Sequence, residues 1–156
     1  MLSSRRFIVC ALGALILVFC FRCQQTWRVF NDTIDEAVHI SSGLELWQTG
    51  RYTIDLIHPP VGRLTLSLPP HLVGLRYEAS QSLWASIDRD FYWRTLSLAR
   101  AANLVWVPFL LIYVYRWGRE LYGPGPGLAA AALASFSPNL LAHASLATLD
   151  FAAAAA

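Results

Sequence analysis

FIVCALGALILVFCF, residues 7–21, runs for fifteen positions without a charge, with Arg5 and Arg6 before it and Arg22 after it. A helix that crosses a bilayer needs about 17 to 25 mostly apolar residues. This run, slightly short on its own, predicts a first membrane helix once its flanks are counted. A secretory signal peptide also opens with positive charge and a short apolar centre, but it closes on small residues at its cleavage site. Phe21, Arg22 and Cys23 stand there instead.

Two later stretches repeat the pattern. The first, residues 96–115, carries Arg100 and Asn103 within it and is followed by Arg116 and Arg119. The second, residues 128–149, contains His143 and has Pro138 near its middle, where the missing backbone N–H should kink a helix. Between them, Gly123-Pro124-Gly125-Pro126-Gly127 predicts a turn that cannot remain helical. The expected fold is an all-α integral membrane protein: residues 1–156 form part of one membrane domain, with spans at about 7–21, 96–115 and 128–149 and a long loop over 22–95.

Composition agrees. Of the 156 residues 56% are hydrophobic and only 14% charged, well under the roughly 25% charged fraction of soluble domains. A surface of that kind calls for lipid as a partner. All 12 basic residues are arginine, and against 10 acids they leave a net charge of +2, so no polyanion-binding tract exists and nucleic acid is not an expected partner. Cys10, Cys20 and Cys23 form an odd set with no disulfide or metal spacing and read as small apolar fillers. Trp27, Trp47, Trp84 and Trp93 all fall between the apolar runs, where amphipathic rings collect at a membrane surface.

The arginines also give a direction. Arg5 and Arg6 precede the first span and Arg116 and Arg119 follow the second, so the positive-inside rule puts both pairs, and the N-terminus, in the cytoplasm. The loop over 22–95 is then extracytoplasmic, facing out from a cell inner membrane or its equivalent. Its own seven arginines do not oppose this, because long loops cross largely regardless of charge. A third span would return the chain to the outer side at Asp150, on the same face as Asp32, Asp35 and Glu36.

Within the loop, Thr33-Ile34-Asp35-Glu36 fits the capping box, in which the Thr hydroxyl and the Glu carboxylate each serve a backbone N–H at the start of a helix. Ile40, Leu44 and Trp47 continue as one apolar stripe, and Gly50 is a natural stop. The cap accounts for Glu36 and leaves Asp35 unexplained, although any acid here complements the positive end of the helix dipole. Asp35 and His39, four apart, share a helical face. An acid beside a histidine near a membrane surface suits a general base that takes a proton from an acceptor hydroxyl. Downstream, His58-Pro59-Pro60-Val61-Gly62-Arg63 has a backbone fixed by two prolines, which suggests a shaped polar site around His58. Residues 64–75, interrupted by Pro69 and Pro70, are too short to span and are expected to lie in the interface.

Asp35-Glu36-Ala37-Val38-His39, then Gly43, then Tyr52 through His58-Pro59-Pro60-Val61-Gly62-Arg63, resembles the start of the protein O-mannosyltransferases and their bacterial relatives in the GT-C superfamily. Arg100 and the run from Ser137-Pro138-Asn139 to Thr148-Leu149-Asp150 extend the resemblance over nearly the whole chain. It implies a hexosyltransferase of the GT-C type, in a multi-spanning bundle whose first extracytoplasmic loop is helical. The donor would be a sugar linked to a polyprenyl phosphate and the acceptor a hydroxyl on protein, lipid or glycan. Asp35 would be the catalytic base, with Glu36 as its partner. His39, His58, Arg63, Arg100 and Asp150 would bind substrate. Arg63 stands where the family has lysine, which keeps the charge but changes the geometry of a phosphate contact.

An alternative is a transporter or non-catalytic membrane subunit with a polar path lined by Arg100, His143 and Asp150, since ionisable residues inside spans mark such paths. A plainer one is a structural protein whose acids only cap helices. The carboxylates could hold a divalent metal, but no spacing characteristic of a metal site is present, and no cofactor is indicated. Three spans cannot enclose a lipid-phosphate site, so the chain is expected to be the N-terminal part of a longer enzyme and inactive when expressed alone.

Overall fold

A computed structural model describes residues 2–79, 82–85 and 87–156, with side chains from Arg5 onward. All regular structure among them is helical. The helices are α1 (Leu2–Gln24), α2 (Ile34–Thr49), α3 (Pro60–Leu72), α4 (Arg89–Asn103), α5 (Trp106–Tyr122), α6 (Pro124–Ser135), α7 (Pro138–Ala144) and α8 (Asp150–Ala155).

Two helical stretches, Arg5–Gln24 and Arg89–Tyr122, are long and apolar enough to cross a membrane. The expected span over 7–21 thus lies within a longer helix, whose Phe7, Val9, Leu17 and Phe21 stand exposed. Contiguous apolar exposure on this scale marks a lipid or protein contact. The second stretch has 34 residues, which at 1.5 Å each reach about 51 Å, against a hydrocarbon core of about 30 Å.

The expected span 96–115 is divided at Leu104–Val105, between α4 and α5. Pro108 explains the division, because it has no N–H to donate to the Leu104 carbonyl one turn back. The Val107 N–H bonds that carbonyl instead at 3.1 Å, in a tighter turn. Residues 128–149 differ more from expectation. Pro138 ends one helix and begins another rather than kinking a continuous one, since it cannot bond the Ala134 carbonyl and it pushes Ser137 to an extended ψ of 121°. The region becomes α6, α7 and a turn. The Gly-Pro repeat also differs. Gly123 makes the turn with φ 93°, while Pro124 starts α6 and Pro126 lies in its first turn, where a backbone donor has no intrahelical acceptor to lose.

Packing sorts the helices into two layers. In one, α2, α3 and α4 bury Ile40, Leu44, Leu66, Leu96 and Ala99 together with Ala147 and Leu149. In the other, α1, α5, α7 and α8 close around Phe19, Val107, Leu111, Ala144 and Phe151, while Ala131 of α6 packs with Leu12 and Tyr115. Residues 64–75, expected in the interface, form most of α3, which lies against α2 and α4. Gly43 makes the α2–α3 approach feasible, because a Cβ there would stand 2.7 Å from the Ser67 Cβ. The turn over 145–149 joins the layers by docking between α2 and α3.

Candidate functional site

The capping box forms as expected. The Glu36 N–H donates to Thr33 Oγ1 at 3.3 Å and the Thr33 N–H donates to Glu36 Oε2 at 2.9 Å. Gly50 ends α2 in the left-handed conformation at φ 68°. Of the apolar stripe, Ile40 and Leu44 are buried, whereas Trp47 is half-exposed and donates to the Leu64 carbonyl.

Glu36 does more than cap. Its buried carboxylate accepts from Arg100 Nε at 2.7 Å and Nη2 at 2.9 Å, and from the Ala147 N–H at 2.8 Å. Arg100 is equally occupied, donating also to the carbonyls of Trp27, Phe30 and Asn31. Burial alone would push the Glu36 carboxyl up, but the Arg100 hydrogen bonds and the two backbone N–H groups hold it below its ordinary value. One clasp therefore ties the start of α2, the segment after α1, the end of α4 and the 145–149 turn. Both side chains use their full hydrogen-bonding capacity on these internal contacts.

Asp32 is also committed: Tyr92 Oη donates to Oδ1 and Trp84 Nε1 to Oδ2, each at 2.8 Å. Asp35, between these two fixed acids, is exposed, and no partner among the described residues reaches its carboxylate. The cap, the clasp and the Asp32 contacts hold the backbone that carries it.

His39 lies one turn along, buried, with Nδ1 lacking any partner among the described residues. Burial lowers its basicity, and the Arg63 and His58 charges lower it further against the opposing pull of Asp35 and Asp55. The His39 ring meets the His58 ring edge-on at 5.2 Å. His58, half-exposed, has Nδ1 2.8 Å from Asp55 Oδ2. Arg63 is fully buried beneath them: it donates to Tyr52 Oη at 2.9 Å and to the Asp55 carbonyl at 2.6 Å, and pairs with the Asp55 carboxylate. The Ile57 N–H, then His58, then Arg63 hold the Asp55 carboxyl at about 2. Arg63 thus organises the turn before α3: Nη1 and Nη2 are engaged there, while the buried Nε has no hydrogen-bond partner among the described residues. Pro59 and Pro60 start α3 with extended and helical backbone in turn.

Asp150 and His143 meet at the exposed end of this region, with Nδ1 3.2 Å from Oδ2. They belong to the same neighbourhood as the loop because the preceding residue, Leu149, packs on Gly62. Sequence reasoning missed Asp55 and Tyr92, and it named Tyr52 and Trp84 without foreseeing their contacts with Arg63 and Asp32. A signal for Asp55 was present: an acid three residues before His58, beside a rigid Pro-Pro, is well placed to hold that imidazole. It also missed that His39, Asp55 and His58 converge, with one ligand atom from each lying within 4.8 Å of the others.

A cavity of about 520 Å³ lies between the end of α1, the 26–33 segment and α7. Phe30, Leu141, Ala142 and Leu146 form much of its wall, and Arg22 and Arg100 also line it. Arg22, read from the sequence only as the close of the first span, is exposed with its guanidinium 5.3 Å from the Phe136 ring centroid. The chain matches no protein-family model, no curated protein and no solved structure.

Proposed function

We propose that this chain carries the catalytic base and part of the donor site of a membrane glycosyltransferase of the GT-C type. It takes a hexose from a polyprenyl-phosphate donor and transfers it to an acceptor hydroxyl on the extracytoplasmic side. Asp35 is the base. The observation that carries this reading is the contrast among three neighbouring acids: Asp32 and Glu36 are consumed by internal contacts, and Asp35 is exposed and has no partner among the described residues, on backbone those contacts hold. Rigid presentation of one free carboxylate is what general-base catalysis needs, because its rate gain depends on position before basicity. The resemblance of residues 35–63 to the O-mannosyltransferases supports the same assignment.

In this reading the protein is multi-pass with its N-terminus in the cytoplasm. Phe30, Leu141 and Leu146 receive part of the prenyl chain, and Arg22 meets its phosphate, the role the sequence had suggested for Arg63 and Arg100. A cation there stabilises the charge that grows on the leaving phosphate as the glycosidic bond breaks. A transport path through Arg100, His143 and Asp150 has less support, since the Arg100 guanidinium is fully engaged.

The test is donor dependence. Membranes bearing the complete gene product are given radiolabelled sugar either as a polyprenyl-phosphate conjugate or as a nucleotide conjugate. The expected result is transfer to hydroxyl acceptors from the lipid-linked donor alone. No transfer from any polyprenyl donor, with vectorial solute uptake in proteoliposomes, would sink the proposal in favour of transport.

A further inference from the structure

We propose that His39, Asp55 and His58 form a binding site for a divalent transition cation of the zinc class. Two imidazoles and one carboxylate are the donor set that such ions select, and three protein ligands leave a fourth position open to water or substrate. One ligand atom from each residue already lies within 4.8 Å of the others. Tetrahedral zinc at bond lengths of about 2.0–2.2 Å separates its ligand atoms by about 3.3 Å, so the cluster needs a modest contraction. His58, with 47% of its side chain exposed, is free to make it.

The second observation is independent of that spacing. His39 is 7% exposed and its Nδ1 has no hydrogen-bond partner, a cost that native structures rarely leave unmet. Coordination of a metal ion through that nitrogen would satisfy it. The surrounding contacts are those of a prepared ligand set, in which outer groups fix the ligands. The Ile57 N–H donates to Asp55 Oδ1 at 3.0 Å, and Arg63 pairs with Oδ2. Glu45 orders the approach by accepting from the Thr53 hydroxyl and from the Thr53 and Ile54 N–H groups.

Among the described residues Arg63 is the fixed positive charge acting on the site, and it opposes a cation. Asp55 neutralises it, and Asp35, whose charge acts on His39 from one helical turn away, supplies the remaining negative charge. The inference does not rest on sugar transfer and is read without it.

The experiment is calorimetric titration of the purified chain in detergent with ZnCl₂, together with the visible absorption of a Co²⁺-loaded sample. One equivalent should bind saturably. His58→Ala, at a half-exposed position, should weaken binding at least tenfold, and His39→Ala should do the same, with the metal-free unfolding temperature reporting that each variant is folded. His143→Ala, which removes the other His–Asp contact, should bind as the parent does. Absence of saturable binding would overturn the proposal. So would a folded His39→Ala or His58→Ala that keeps parental affinity, or loss of the site in His143→Ala.

Discussion

Glu36 and Arg100 set the energetic scale for single residues. A buried ion pair is a weak net stabiliser, yet removing one member strands the other in a dry environment at about 3–5 kcal/mol. Glu36→Gln and Arg100→Met are each expected to lower stability by about that much, and the double variant by clearly less than their sum, because the residues act as a unit. Thermal unfolding in detergent measures all three. The clasp also has a pH signature. The Glu36 carboxyl is held below its ordinary 4.5, so its contribution is fully present above pH 4.5 and is lost as pH falls through the lower folded value. Stability should therefore fall more steeply below pH 4.5 in the parent than in Glu36→Gln; parallel curves would contradict the assignment. The cap on Thr33 was legible because all its parts lie within four residues. Arg100 was not legible as the partner of Glu36, since nothing local links positions that far apart in the chain, and a charge inside an apolar run suggests a ligand before it suggests a tie.

Among the elements, close packing depends on glycines that only the structure explains. A Cβ on Gly127 would stand 2.7 Å from the Arg119 nitrogen and 2.8 Å from the Tyr115 carbonyl oxygen, backbone that cannot rotate away. Gly127→Ala should force α6 off α5 and cost about 1–3 kcal/mol, the usual penalty of overpacking, whereas Gly125→Ala, which meets nothing within 4 Å, should cost far less. Comparing their unfolding temperatures separates a steric effect from a general loss of glycine. Helix existence was readable from apolar runs, but helix continuity was not. Pro108 sits in an unbroken apolar stretch and Pro138 between Ser137 and Asn139 within a largely apolar one, and whether proline kinks a helix or ends it depends on what stabilises the freed carbonyls. Here short turns do so at Leu104 and Ala134, and both helices divide.

For the whole molecule, the layer of α2, α3 and α4 and the apolar layer built on α1 and α5 meet at the Glu36–Arg100 clasp and the 145–149 turn. The proposed orientation sets the first layer outside the membrane and the end of α5 inside. With the three native cysteines replaced by alanine, Arg51→Cys should react with a membrane-impermeant maleimide on intact cells, and Arg119→Cys only after permeabilisation; the reverse pattern would invert the topology. Apolar runs made the two candidate membrane-spanning helices legible, and motif order suggested a chemistry. The capping box already set Asp35 apart from Glu36 in the sequence, whereas the engagement of Asp32 by Trp84 and Tyr92 became visible only in the structure. The most direct test of Asp35 as the base is the rate of sugar transfer from a polyprenyl-phosphate donor by membranes carrying the complete gene product with Asp35→Asn. Loss of the base predicts a fall of about 10²-fold or more with the unfolding temperature unchanged; transfer at the parental rate would contradict the account.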